Sequence, residues 1–150
     1  DTSVTRNIAN IVLSFDNYDS EEATEAAASE LLEKIKSESK LDAEVFEEYA
    51  EQYSDSSEIF FTNVAEGDMI ETMDDWLYGD AQRAAGDLGI VSSDYGCHIM
   101  YFVSEGDPVY IANAKIAVID DMFAEWYESN RAKYNIGLTE ELRDGINLDV

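Results

Sequence analysis

The chain has 150 residues, 45% of them apolar and 11% aromatic, which is enough for one buried core and too much for a disordered segment. Its 34 acidic against 9 basic side chains give a formal net charge of −25. That charge excludes binding to phosphate backbones and disfavours anionic membranes.

Residues 6–15 read as a strand, since Ile8, Ile11, Val12, Leu13 and Phe15 are bulky or β-branched. Asp16 to Ser20 is turn chemistry, and Ser20 can cap a helix whose first turn holds Glu21 and Glu22. That helix spans about 21–37, with Ala23, Ala27, Leu31 and Ile35 on one stripe. Asp42 caps a second helix, whose inner face is Val45, Phe46, Tyr49 and Ala50. Ile59-Phe60-Phe61 fits a short strand or a core loop, and a short helix follows from Met69 to about Tyr78. Gly86 to Val91 is a turn entering a strand. A strong strand runs from Cys97 to Val103 and should end at Gly106-Asp107-Pro108. A long amphipathic helix over 111–134, with Ile116, Ile119, Phe123 and Trp126 on one face, should stop at Gly137. The tail, 138–150, allows one more short helix. The order predicts an α+β fold whose last two strands form a hairpin in a small antiparallel sheet.

The chain's only cysteine, Cys97, precedes its only histidine, His98. Neighbours in a strand point to opposite faces, so the two do not form a catalytic dyad, and Cys97 reads as a small buried apolar side chain. One cysteine allows no internal disulfide and no zinc site with a second thiolate partner. Asp16-Asn17-Tyr18-Asp19 lacks the glycine and closing glutamate of a calcium loop. No metal and no cofactor is expected.

Four stretches in order resemble the parvulin-type peptidyl-prolyl cis–trans isomerases, over roughly 5–106. Tyr95-Gly96-Cys97-His98-Ile99-Met100 is similar to the family's final-strand signature. Phe46 to Ser56 is similar to its second-helix run, and Arg6-Asn7-Ile8 to its first-strand motif. Gly67-Asp68-Met69 with Met73-Asp74-Asp75 resembles the helix lining the proline pocket. The subtype most similar is the extracellular foldase lipoprotein of Gram-positive bacteria. The resemblance implies a four-stranded antiparallel sheet with helices packed on it, a domain over 5–106, and a C-terminal helix and tail over 109–150 belonging to a chaperone-like region of a longer protein. It implies prolyl isomerisation in the folding of exported proteins, at the cell surface or outside it, anchored as a lipoprotein. The partners would be unfolded or extended proline-containing chains, with no nucleic acid, no membrane insertion by this stretch, and a homodimer through the C-terminal helix.

Carried over residue by residue, the resemblance makes His98 the histidine of the site floor. It puts Asn7 in place of the family's first-strand histidine, Ser56 where relatives carry Cys or Asp, and Ser93 at a hydroxyl position before the last strand. Met69, Met73 and Phe102 would receive the proline ring. The family's Gly-Gly-Asp-Leu-Gly loop is absent after the second helix, and Gly86-Asp87-Leu88-Gly89 comes too late to be it. The reduced histidine pair implies a weakened site. The alternative is a peptide-binding module that keeps the fold without catalysis.

Overall fold

The computed structural model describes the backbone over residues 3–80 and 82–145, and side chains in those stretches through residue 130. Two compact units result, residues 1–110 and 111–150.

In the first unit, β1 (Val4–Ser14) leads through a short 3-10 turn to α1 (Glu21–Lys36) and α2 (Ala43–Tyr53). Then come β2 (Phe60–Val64), α3 (Glu71–Tyr78), β3 (Leu88–Ser92) and β4 (Gly96–Pro108). The four strands form one antiparallel sheet in the order β2-β1-β4-β3. The helix starts follow from capping. Ser20 Oγ accepts from Ala23 N at 3.1 Å, and Asp42 Oδ1 from Val45 N at 3.0 Å, each satisfying an otherwise orphaned first-turn donor.

Strand alternation divides the core between the two sheet faces. Ala9, Ile11 and Leu13 of β1 and Cys97, Ile99 and Tyr101 of β4 pack against Leu31, Ile35 and Ala28 of α1 and Phe46 and Ala50 of α2. Phe46 is fully buried and stacks on Tyr101, with ring centroids 5.0 Å apart. On the other face, Ile8, Met100 and Phe102 pack against Met73 and Leu77 of α3 and Val64 of β2.

Two ends differ from the sequence expectation. β4 runs on past Val103 and ends only at Pro108, which pairs with Val4. The strand survives there because a polar knot joins β1, β2 and β4. Asn7 Oδ1 accepts from Asn63 N at 2.8 Å, and Asn63 Oδ1 accepts from Asp107 N at 2.8 Å and Thr5 Oγ1 at 3.1 Å. Asn63 has φ 54°, a left-handed conformation that Asn tolerates best after Gly. A Cβ on Gly106 would come within 2.5 Å of Thr5 Oγ1 and 2.7 Å of Asn63 Oδ1, so the knot closes only around a glycine.

The second correction is Gly137. Helix α4 (Val109–Gly145) runs through it, because one interior glycine costs about 1 kcal/mol and does not end a helix flanked by good formers such as Leu138 and Glu140. The expected separate tail helix is therefore part of α4 as far as Gly145, and 146–150 lie outside the described residues. Within the second unit Ile116, Ile119, Phe123 and Trp126 are 54–64% exposed. Among the described residues no helix is long and apolar enough to cross a membrane.

Candidate active site

His98 lies in β4 opposite Val12 of β1 and Val91 of β3, so it sits mid-sheet and is 7% exposed. Its ring points to the α3 face, since Met100 and Phe102, two and four residues on, belong to the cluster under α3. Cys97 faces α1 and α2 and is wholly buried. Burial raises the Cys97 thiol above its ordinary range.

Two side chains hold the imidazole. Ser93 Oγ lies 2.7 Å from Nε2, and Asn10 Nδ2 lies 3.3 Å from Nδ1. Ser93 is fixed by the β3–β4 turn: its N–H donates to Gly96 O at 2.9 Å, and its Oγ accepts from Tyr95 N at 3.2 Å. Asn10 is 5% exposed, and its N–H donates to Ile59 O at 2.8 Å. Burial lowers the His98 pKa below the usual imidazole value.

The structure brings Asn10, not Asn7, to the imidazole. Asn7 pairs with Ser104, six residues from His98, about 20 Å along the strand at roughly 3.3 Å per residue. There Asn7 Nδ2 donates to Ser104 Oγ at 3.0 Å. The register shifts between Asn7 and Ile8, where β4 carries one extra residue, Val103, but even without that shift Asn7 would pair five residues from His98. Asn10 was missed in the sequence. The signal for it was its even spacing from Ile8 and Val12, but only the pairing register says which even position meets His98.

Ser56 lies in the loop that runs along β1, half-buried, where its Oγ accepts from Glu58 N at 3.2 Å. Its neighbours make the contacts to β1: Val12 N donates to Ser54 Oγ at 3.1 Å, and Asp55 N donates to Val12 O at 2.8 Å. Ser56 thus stands one step from the strand position opposite His98, without a described bond to the ring.

Apolar side chains gather on the α3 face. Met73 and Phe102 are core members of the α3 face, and Met69, Phe61, Trp76 and Val91 pack half-buried at its margin. Helix α3 is tied to the hairpin by Thr72 Oγ1, which donates to Ser92 O at 3.0 Å. Arg6 anchors the other end of α3 by donating to Leu77 O. Its guanidinium lies 4.5 Å from the Tyr78 ring centroid and 5.6 Å from that of Phe102. Trp76 closes over Gly89 of β3, where an added Cβ would stand 2.1 Å from the indole Nε1. Beside Met69 opens an acidic cleft of about 670 Å³ lined by Glu66, Glu71, Asp74, Asp75 and Tyr78. Met73 is only 6% exposed and Phe102 only 2%, so the wall is closed in this structure.

Residues 11–104 match the PPIC-type PPIASE domain of the Rotamase family. The chain belongs to the PPIC-type peptidyl-prolyl isomerase family. The match covers more than half of the chain; Arg6, Ile8 and Asn10 lie before it in β1, and the other residues of this site fall within it. The four-stranded antiparallel sheet with its helices is consistent with the parvulin-like α+β fold, and the family places the domain among the prolyl isomerases, whose substrates are proline-containing peptides. No curated protein and no solved structure matches the chain.

Proposed function

We propose that the domain accelerates cis–trans isomerisation of X-Pro bonds in extended or unfolded chains, as a folding helper for exported proteins. The observation that carries this reading is the packing of Met73, Phe102 and Met100 on the same sheet face as the imidazole of His98. The uncatalysed amide rotates over a barrier of about 18–20 kcal/mol, and X-Pro bonds interconvert in tens to hundreds of seconds. No covalent bond breaks. At the twisted geometry the amide loses conjugation and its carbonyl loses polarity, so an apolar wall that grips the proline ring more tightly in that state lowers the barrier. Met69, Met73 and Phe102 are assigned to the ring. His98, with Ser93 and Asn10, forms the polar floor, and Ser56 lines the side nearest β1. The net charge of −25 suits basic, unfolded clients rather than anionic ones. The surface location, the lipoprotein anchor, the foldase subtype and pairing of two copies through α4 belong to the same proposal.

The second reading, a binding module without catalysis, is favoured by the closure of the wall and by an amide standing beside the histidine. Rates of cis-to-trans conversion in Ala-X-Pro-Phe peptides separate the two. Acceleration that falls on His98→Ala supports the enzyme. Unaltered peptide rates, together with suppressed aggregation of a proline-rich client, would establish the binding module instead.

A further inference from the structure

We propose that Asn10 is a positioning residue whose carboxamide NH₂ holds His98 as the neutral tautomer with its proton on Nε2. Two proton arrangements fit the heavy atoms. In the first, Ser93 Oγ–H donates to Gly96 O at 3.3 Å and accepts from Nε2–H, while Nδ1 accepts from Asn10 Nδ2. In the second, Ser93 Oγ–H donates to Nε2, and Nδ1–H donates to an Asn10 amide turned end for end. The imidazole, the hydroxyl and the amide supply one, one and two protons, and each arrangement leaves one end of the Asn10 amide without a partner. In the first that end is the carboxamide oxygen, buried and without a partner, and one of the two Nδ2 protons is left over as well. In the second it is an NH₂ with two buried donors. Orphaned buried N–H groups are much rarer than under-satisfied carbonyl oxygens, so the first arrangement prevails. It also makes three hydrogen bonds to the second arrangement's two, because the Ser93 hydroxyl donates to the Gly96 carbonyl as well as accepting from the ring.

The consequence deepens the isomerase reading and rests on it. With both ring nitrogens committed to protein partners, His98 neither gives nor takes a proton from the peptide. The ring ties β1, β4 and the β3–β4 turn into a rigid floor, and the amide twists above it without acid–base chemistry. An amide does this work in a way that a second titrating ring does not, because the Asn10 NH₂ donates at every working pH.

The test reads the ring directly. Long-range ¹H–¹⁵N correlations of the intact 150-residue chain at neutral pH should show the His98 proton on Nε2. Asn10→Asp presents only acceptors, so in that variant a proton should appear on Nδ1. A native chain protonated at Nδ1, or an Asp variant with native amide dispersion and an unchanged ring, overturns the proposal. Should the Asp variant fail to fold, Asn10→Leu serves. Loss of the amide should then give a mixture of tautomers, and a ring that stays wholly Nε2-protonated refutes the role of Asn10. These spectra do not depend on turnover. A chain with the expected tautomer and no effect on proline peptides keeps the Asn10 assignment and rejects the isomerase reading.

Discussion

Asn10 and His98 meet across β1 and β4 on a diagonal: the ring's directly paired neighbour is Val12, yet the amide two residues earlier reaches Nδ1 at 3.3 Å. Diagonal contacts of this kind lie within reach of long side chains on one sheet face. This polar pair at the apolar wall is therefore fixed by strand register, and the register in turn is fixed by the alternating core residues of both strands.

Burial lowers the His98 pKa, so the folded chain holds the ring neutral. The unfolded chain protonates it near 6.5, and between that value and the lower folded one the unfolded state binds more protons. The stability tied to the neutral ring is thus fully present above 6.5 and is lost as pH falls below it. Urea midpoints from about pH 8 to about pH 5 for the native chain and for His98→Gln isolate this contribution from the acidic surface. The native advantage over the variant should shrink on acidification, and two parallel curves would show that the ring titrates alike in both states.

Cys97 has no exposed surface and a thiol pushed upward by burial. It should resist a water-soluble thiol reagent in the folded chain and react completely once denaturant is added, because the thiolate is the reactive form. Stoichiometric labelling without denaturant would show that the sheet opens at β4.

Gly106→Ala places a methyl group into the Thr5–Asn7–Asn63 knot. Overpacking of this kind costs about 1–3 kcal/mol, which should appear as a lower urea midpoint with an unchanged slope. A variant as stable as the parent would mean that the far end of β4 is held by something other than these side chains.

Phe46→Ala and Phe123→Ala remove the same side chain from opposite environments. Phe46 is completely buried against Tyr101, whereas Phe123 is 63% exposed. The first should cost about 3–5 kcal/mol and the second well under about 1 kcal/mol in chemical denaturation of the monomeric chain. Equal losses would show that α4 is covered in solution, and sedimentation of both variants would then identify a second copy as the cover.

Much of the molecule is legible in the residues themselves. Ser20 and Asp42 announce helix starts through local hydrogen bonds, and the four-residue stripe in α1 finds the buried face at Leu31 and Ile35, while Thr24 and Ala28 are buried in place of Ala23 and Ala27. The opposed directions of Cys97 and His98 follow from strand geometry alone. The family followed from short motifs in a fixed order, and it carried the sheet with it. These features depend on neighbours within a few positions, where sequence spacing and spatial spacing are the same thing.

The partner of the imidazole was decided elsewhere. The unbroken ladder from Ile8 to Ser14 sets Val12 opposite His98 and brings Asn10 to the ring, while Asn7, beyond the register shift, joins the knot with Asn63 and Ser104. The extension of β4 through Pro108 likewise depends on groups more than forty positions apart, Asn63 and Asp107 among them. A bulge changes which side chains face each other without leaving a mark in the periodicity of either strand. The sequence by itself determined the elements and the two faces of the sheet; pairing of distant strands, set by burial on both sides at once, chose which polar groups share the site.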